Sequence, residues 1–213
     1  MRIISIRALS RREFVRMVSL GSLGISVFRN VSSAQQEEYG IPKPTDPSQK
    51  QIYGIHRYVG GLYYFDPVGI YVQPGDTVGF ILVQGTGRVP TVTAYHPDND
   101  NHELRIPENA KPFDSGIVLP DRRKPAFRWT FVVEGTYDYF SKWEEGAGMV
   151  GRIVVGKPGG PGEKPWGYGN KEGRQVIPKK VLERVRVLDS MEIIQKKAVP
   201  FPYAQFGTSY PLW

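Results

Sequence analysis

The sequence predicts an all-β sandwich or barrel that is followed by a short helical extension at the C terminus. The chain has 213 residues with 24 glycines, 18 prolines and 12% aromatic residues. Abundant turn residues between short β-prone runs are typical of sandwiches and barrels. The clearest strand lies at residues 127–133, where Phe127, Trp129, Phe131 and Val133 occupy every second position. This period of two indicates a strand with one face packed on a core.

The other strands are predicted from β-prone runs bounded by turns, beginning at Tyr53. A Pro74-Gly75 pair between the first two runs suits a tight turn, because proline presets φ and glycine accepts a positive φ. Residues 97–125 are rich in Asp, Asn and Pro and show no period. The predicted strands are residues 68–72, 77–83, 91–96, 136–140 and 149–155.

The domain organisation follows from shifts in composition along the chain. The segments are residues 1–34, a signal peptide; 35–52, a flexible arm; 53–156, the sandwich domain; 157–169, a Gly/Pro linker; and 170–213, the C-terminal extension.

Two short helices are expected in the C-terminal extension. The first begins at Pro178 and should present one apolar face, formed by Val181, Leu182 and Val185. The second opens at residues 189–192, where Asp-Ser-Met-Glu matches a capping box. It should end before Pro200, because a residue that precedes proline avoids the helical region.

The N-terminal segment has the features of an export signal. Arg11 and Arg12 stand just before a moderately apolar stretch at residues 17–28, and small residues follow at 31–34. This order of charged, apolar and small residues is typical of a secretory signal. The twin arginine favours the twin-arginine route, which carries folded proteins to the periplasm or the outer face of the cell membrane. About a dozen apolar residues fall short of the roughly 20 that span a bilayer. Whether the signal is cleaved or retained stays open.

The positive charge of the chain belongs largely to this signal. Residues 1–34 hold six of the 28 basic and one of the 21 acidic residues, so 22 basic and 20 acidic residues remain. A net charge of about +2 gives no sign of the basic patch that nucleic-acid binding needs. No nucleophile–base pair or phosphate-binding loop stands out either, so neither a nucleic-acid partner nor an enzymatic activity is expected.

One segment is far more specific than the rest. Residues 135–155 read Gly-Thr-Tyr-Asp-Tyr-Phe-Ser-Lys-Trp-Glu-Glu-Gly-Ala-Gly-Met-Val-Gly-Arg-Ile-Val-Val. This run resembles the C-terminal signature of the cupredoxins, the blue-copper proteins of plastocyanin and halocyanin type. Residues 72–78, Val-x-Pro-Gly-Asp-Thr-Val, and residues 91–97, Thr-Val-Thr-Ala-Tyr-His-Pro, are similar to upstream parts of the same family. The resemblance spans about residues 62–156 and implies a Greek-key cupredoxin sandwich.

In that family a copper ion is held by two histidines, a cysteine and a long axial methionine. The resemblance places the axial ligand at Met149, which is retained. It places the cysteine at Ser141, the second histidine at Glu144 and the first histidine at Pro90. The chain contains no cysteine at all. A serine hydroxyl brings neither the charge nor the softness of a thiolate, so we expect no type 1 copper site and no electron transfer.

Two weaker metal sites were considered from the residues alone. Glu144 or Glu145 with Met149, and His96 if the register shifted, could bind copper or zinc weakly. A second cluster in residues 96–102 contains two histidines and two aspartates: His96, Asp98, Asp100 and His102. Such a loop is more often an Asx turn. His56 is isolated and expected to be structural.

The favoured interpretation is a copper-free cupredoxin that serves as a binding or structural module of an exported redox or copper-related assembly. A metal-binding cupredoxin with an altered site is the alternative, and a family-type electron carrier is disfavoured. No cofactor is expected. A protein partner would bind through aromatic side chains of the loop and the C-terminal extension: Trp143, Phe201, Tyr203, Phe206, Tyr210 and Trp213. Contact with a membrane is expected only by association, and the oligomeric state stays open.

Overall fold

A computed structural model describes residues 50–57, 62–83, 90–119, 124–169 and 173–202. The predicted signal peptide and most of the predicted arm lie outside the described residues. So do four of the aromatic residues that were expected to contact a partner, from Tyr203 to Trp213.

Within the described residues, nine strands form two sheets. The first sheet contains, in spatial order, β2 (Leu62–Asp66), β1 (Lys50–Arg57), β4 (Thr77–Val83) and β6 (Phe127–Thr130). The second contains β5 (Thr93–Ala94), β7 (Gly135–Phe140), β8 (Val150–Val155), β3 (Gly69–Val72) and β9 (Ala198–Val199). Side chains from both sheets meet in one buried apolar core.

The chain passes repeatedly from one sheet to the other. It forms hairpins at β1–β2 and β7–β8, while β1 pairs with β4 and β3 pairs with β8 in parallel. Between β2 and β7 each successive strand lies in the opposite sheet. The predicted fold class, an all-β Greek-key sandwich with a short helical C-terminal extension, is therefore confirmed.

Aromatic rings make up much of the core. The ring of Phe113 lies 5.5 Å from that of Trp129 and 5.7 Å from that of Phe131. The predicted alternation holds here, because Phe127, Trp129 and Phe131 turn inward while the residues between them are exposed. The ring of Tyr139 lies over Gly151, where an added Cβ would be 2.3 Å from the tyrosine oxygen. Only glycine fits beneath this ring.

Some element bounds differ from the prediction. β1 begins at Lys50, so the last three residues of the predicted arm pair with β4. The strand expected at residues 91–96 is only Thr93–Ala94. After Ala94 the chain bends at Tyr95 and then turns at residues 97–101.

Residues 157–169 are not a loose linker. They include a 3₁₀ turn at Pro161–Glu163 in which Pro161 and Gly162 are buried. An added Cβ on Gly162 would lie 2.5 Å from the carbonyl oxygen of Thr136 in β7. The glycines of this segment permit a close backbone approach to the second sheet, because they have no Cβ. The prolines restrict the backbone to that path.

The C-terminal extension forms two short helices, α1 (Lys179–Arg184) and α2 (Ser190–Lys196). Asp189 caps α2 by accepting a hydrogen bond from the N–H of Glu192 at 2.7 Å. The apolar face expected for the first helix is only partly correct. Val181 is fully buried, Val185 is half-buried and Leu182 is exposed. In the described part of the chain, no helix has the length and apolar character to cross a membrane.

A buried carboxylate holds two arginines beside the core. Asp138 in β7 accepts from Nε of Arg105 at 2.8 Å and from Nε of Arg152 at 2.7 Å. Asp138 and Arg105 are fully buried and Arg152 is 7% exposed. Glu103 binds the other side of the Arg105 guanidinium at 2.9 Å. Each charge therefore has a partner of opposite sign, which a buried charge requires.

The same two arginines bind the linker at residues 157–169, and Arg152 also binds the C-terminal extension. Both guanidinium groups donate to the carbonyl of Gly162, at 2.8 and 2.9 Å. Arg152 also donates to the carbonyl of Leu188 at 2.8 Å. The ring of Trp166 lies 3.7 Å from the Arg105 guanidinium carbon. The linker is thus attached to the sandwich through both arginines that Asp138 positions, and the C-terminal extension is attached through Arg152.

Replacing Asp138 with alanine should destabilise the fold strongly. Two buried arginines would lose their shared counter-ion, and breaking a buried pair in this way costs about 3–5 kcal/mol. The free energy of unfolding in urea measures the loss. Glu192→Gln is the matched control, because it removes an exposed pair with Lys196 and should cost less than about 1 kcal/mol. Equal losses in the two variants would contradict the central role of Asp138.

Candidate functional site

The four positions that the resemblance assigns to copper ligands come together in the structure. Ser141, Glu144 and Met149 lie in the loop between β7 and β8, and Pro90 precedes β5. All four residues are buried. The loop is closed by backbone hydrogen bonds from Ser141 N to the carbonyl of Met149 and from Met149 N to the carbonyl of Glu144, both 3.1 Å.

The Ser141 hydroxyl is engaged on both sides. It accepts a hydrogen bond from the backbone N–H of Thr91 at 3.0 Å and donates to Oε2 of Glu144. Because Thr91 follows Pro90 directly, this contact brings the Pro90 position next to the loop. The side chains at two of the positions that the resemblance assigns to copper ligands thus bind each other, and the hydroxyl has no charge to offer a metal.

Further contacts hold the loop to the neighbouring chain. The N–H of Lys142 donates to Oγ1 of Thr91 at 2.9 Å, and Nζ of Lys142 lies 2.8 Å from Asp114 and 3.3 Å from Asp100. Burial raises the pKa of Asp114, but the hydrogen bonds from Lys142, Gly116 and Thr93 and the charge of Lys142 together outweigh it, and the pKa falls below its usual value.

The extension packs on the same loop. Gly148 ends a 3₁₀ turn at Glu145–Ala147 with φ of 85°. An added Cβ there would lie 2.8 Å from Cγ of Arg184 and 3.0 Å from the carbonyl oxygen of Lys180, both in α1. Glycine is required both by the left-handed backbone and by this close approach.

The predicted cluster of histidines and aspartates at residues 96–102 does not converge. His96 Nδ1 accepts from the N–H of Asp98 at 3.1 Å, as an Asx-type turn would. Asp100 faces Lys142, and His102 faces Glu145. Among the residues that the structure describes, no group of three or more His, Cys, Asp or Glu side chains could hold a metal ion.

His102 and Glu145, two of the weak alternative ligands, bind each other. Nε2 of His102 lies 3.0 Å from Oε2 of Glu145, and Nδ1 lies 2.9 Å from the carbonyl of Asn99. Tyr95 donates its hydroxyl to the other oxygen of Glu145 at 2.8 Å. Both imidazole nitrogens thus face acceptors, an arrangement that suits the protonated ring.

The pKa of His102 reflects these neighbours. Burial lowers the pKa, but the hydrogen bond and charge of Glu145 outweigh it, so the pKa rises above its usual value. Burial, followed by the charge of Glu145, raises the pKa of Tyr95 well above its usual range. The sequence analysis missed this triad, because 43 residues separate His102 from Glu145 and no local pattern links them.

The aromatic residues that were expected to contact a partner differ in their surroundings. Trp143 is 48% exposed. Phe201 is buried and stacks on Tyr64 with ring centroids 4.5 Å apart, so it packs the extension against β2. His56 lies within β1, in backbone register with Tyr63.

Comparisons with known proteins bear on the fold. No family model matches the chain, and no curated protein matches it. Among solved structures, pseudoazurin from Methylobacterium extorquens AM1 is 20% identical, with 69% of this chain and 98% of that chain covered and a TM-score of 0.44. Plastocyanin from Dryopteris crassirhizoma is 22% identical, with 50% and 99% covered and a TM-score of 0.36. A mutant amicyanin in its reduced Cu(I) form is 19% identical, with 54% and 87% covered and a TM-score of 0.35.

These three structures have the cupredoxin fold that the sequence resemblance predicts. At such identities and TM-scores the similarity says nothing about the activity of this chain. The fold assignment depends on the strand order in the two sheets.

The His102–Glu145 pair predicts a specific dependence of stability on pH. Because the folded-state pKa of His102 lies above the unfolded value near 6.5, the stabilisation should be complete below about pH 6.5. It should be lost as the pH rises through the folded-state pKa. The free energy of unfolding in urea, measured at a series of pH values, should therefore fall as the pH rises. This fall should be smaller in His102→Gln than in the wild type.

Glu145→Gln provides the second arm of this experiment. It removes the charge that raises the histidine pKa, while Asp100 still contributes a weaker attraction. The fall in the free energy of unfolding with rising pH should also be smaller in this variant than in the wild type. An unchanged decline in His102→Gln would show that other groups cause it.

Proposed function

We propose that this chain is an exported cupredoxin-fold protein without a type 1 copper site, and that it acts as a non-redox binding or structural module. The observation that carries the proposal is the Ser141–Glu144 contact. Two positions that hold copper in the family are occupied by side chains that hydrogen-bond to each other in a buried loop. The sandwich fold is retained, and the Ser141–Glu144 hydrogen bond links two of the ligand positions in place of a metal.

The chemistry of these side chains supports the loss of electron transfer. A type 1 site depends on a thiolate, and the chain has no cysteine. Proline at position 90 has no side-chain ligand atom, and the thioether of Met149 is a weak ligand by itself. Hydrogen bonds now connect the loop to Thr91 and Tyr95. A metal is not needed to order it, and an enzymatic role has no candidate nucleophile or base.

Export is the second part of the proposal. The twin arginine at residues 11–12 and the weakly apolar stretch after it favour the twin-arginine route. Passage in the folded state fits a chain whose extension is bound to the sandwich through buried charges, because such contacts form only in the folded protein. The cell compartment would be the periplasm or the outer face of the cell membrane.

A protein partner would approach near Trp143. This side chain is 48% exposed and lies in the loop beside the former ligand positions. Tryptophan is enriched at protein interfaces. Trp143→Ala should then weaken recovery of a co-purifying protein from the exported fraction.

An altered metal site is the second candidate, because Met149 and the Glu144 carboxylate belong to the same buried loop. The contacts of Glu144 with Ser141, and of Glu145 with Tyr95 and His102, weigh against it. A metal would have to displace these partners from the carboxylates before it could bind.

Metal titration separates the two candidates. Calorimetry of the native protein with Cu(I), Cu(II) and Zn(II) should show no binding tighter than about 10 µM, which corresponds to roughly 7 kcal/mol. Tighter binding that is lost in Met149→Leu would establish the altered site instead.

Restoring the ligands tests the assignment of positions. Pro90→His/Ser141→Cys/Glu144→His with Met149 retained should bind Cu(II) and show the intense visible absorption of a copper–thiolate bond. The matched control Pro90→His/Glu144→His keeps Ser141 and should show no such band. A folded triple variant that stays colourless with excess copper would contradict the assignment.

The export route is tested by Arg11→Lys/Arg12→Lys. If the machinery of the twin-arginine route recognises this pair, the charge-conserving variant should accumulate inside the cell and be nearly absent from the exported fraction. Arg16→Lys, which lies outside the pair, is the matched control. Normal export of the double variant would exclude this route.

A further inference from the structure

Two aliphatic side chains stand out from the surface of the sandwich. Ile117 is 81% exposed and Leu119 is 91% exposed, the highest values for large apolar residues in the described part of the chain. Between them, Val118 packs against the core. The segment is anchored upstream by the hydrogen bond from Ser115 N to the carbonyl of Val92 at 3.0 Å. We call residues 117–119 the apolar tip.

The chain leaves and re-enters the sandwich at neighbouring points around this tip. The ring of Phe113 lies 6.4 Å from that of Phe127 and 5.5 Å from that of Trp129. The exposed side chains of Lys111 and Arg128 belong to these two ends. Along the sequence, the apolar tip thus lies between two exposed cations.

The charge of this stretch contrasts with the rest of the domain. Residues 111–128 contain five basic and two acidic residues. One of the two acids, Asp114, is bound by Lys142 at 2.8 Å. The other residues of 35–156 contain seven basic and 13 acidic residues. Basic residues are therefore concentrated, along the sequence, on both sides of Ile117 and Leu119.

We propose that the apolar tip and its flanking cations bind the surface of an anionic phospholipid bilayer. Basic residues near such a surface are attracted to acidic headgroups, and aliphatic side chains enter the boundary between headgroups and acyl chains. The inference is independent of the state of the copper positions.

The chemistry of the tip favours lipid over a protein partner. Protein interfaces draw their binding energy mostly from Trp, Tyr and Arg in well-packed pockets, with leucine and valine under-represented. Exposure above 80% means that few neighbouring side chains surround Ile117 and Leu119. A fluid bilayer accepts two protruding aliphatic groups without a complementary pocket.

Vesicle co-sedimentation tests the proposal with the full chain. Binding should be clear with vesicles of phosphatidylcholine and phosphatidylglycerol and much weaker with phosphatidylcholine alone. Ile117→Ser/Leu119→Ser should weaken binding to the anionic vesicles by about tenfold or more, as expected when two aliphatic side chains no longer enter the bilayer. Since residues 17–28 could bind lipid by themselves, every comparison is between proteins with the same N terminus.

Two controls keep the outcome decisive. Val176→Ser alters an aliphatic residue of similar exposure, 79%, outside the loop and should leave vesicle binding unchanged. Lys111→Gln/Arg128→Gln should reduce the preference for anionic vesicles. Equal binding by the wild type and Ile117→Ser/Leu119→Ser would overturn the proposal. So would a concentration-dependent dimer in sedimentation velocity that this double variant abolishes, because the tip would then bind a second copy of the chain.

Discussion

The Asp138 carboxylate, held between Arg105 and Arg152, is the contact that joins the parts of this protein. It lies in β7, one residue from the core tyrosines on either side, and both of its oxygens bind guanidinium groups. Those groups reach outward to the carbonyls of Gly162 and Leu188. Since a buried charge must have partners, the sandwich and its C-terminal extension depend on each other. The extension is a third layer of the structure.

This attachment also determines the surroundings of the candidate site. Helix α1 of the extension packs against Gly148. The loop that holds Ser141 and Glu144 therefore contacts the extension on one side and Thr91 on the other. Ser141 and Glu144 bind each other, and Glu145 is held by Tyr95 and His102. In a copper protein the metal would cross-link these segments. Here hydrogen bonds between buried side chains connect the same segments, which is the basis for proposing a non-redox role.

Much of the fold could be predicted because its signals are local. The inward positions of Phe127, Trp129 and Phe131 follow from a period of two, and the Asp189 cap follows from side-chain chemistry within one turn. The packing of the linker at 157–169 could not be predicted, for a complementary reason. Glycine and proline serve equally in a flexible spacer and in a tightly packed crossing, and only the proximity of Gly162 to Thr136 distinguishes the two.

The sequence by itself determined the β-sandwich, its C-terminal helices and the identity of the residues at the four copper positions, including the absence of any cysteine. Only the tertiary structure decided which contacts those residues make. The contacts between Ser141 and Thr91, between His102 and Glu145, and between Arg105 and Asp138 join residues 50, 43 and 33 positions apart. Strand periodicity and turn chemistry act over a few residues. Pairing of buried polar groups over such separations depends on how the two sheets and the C-terminal extension pack.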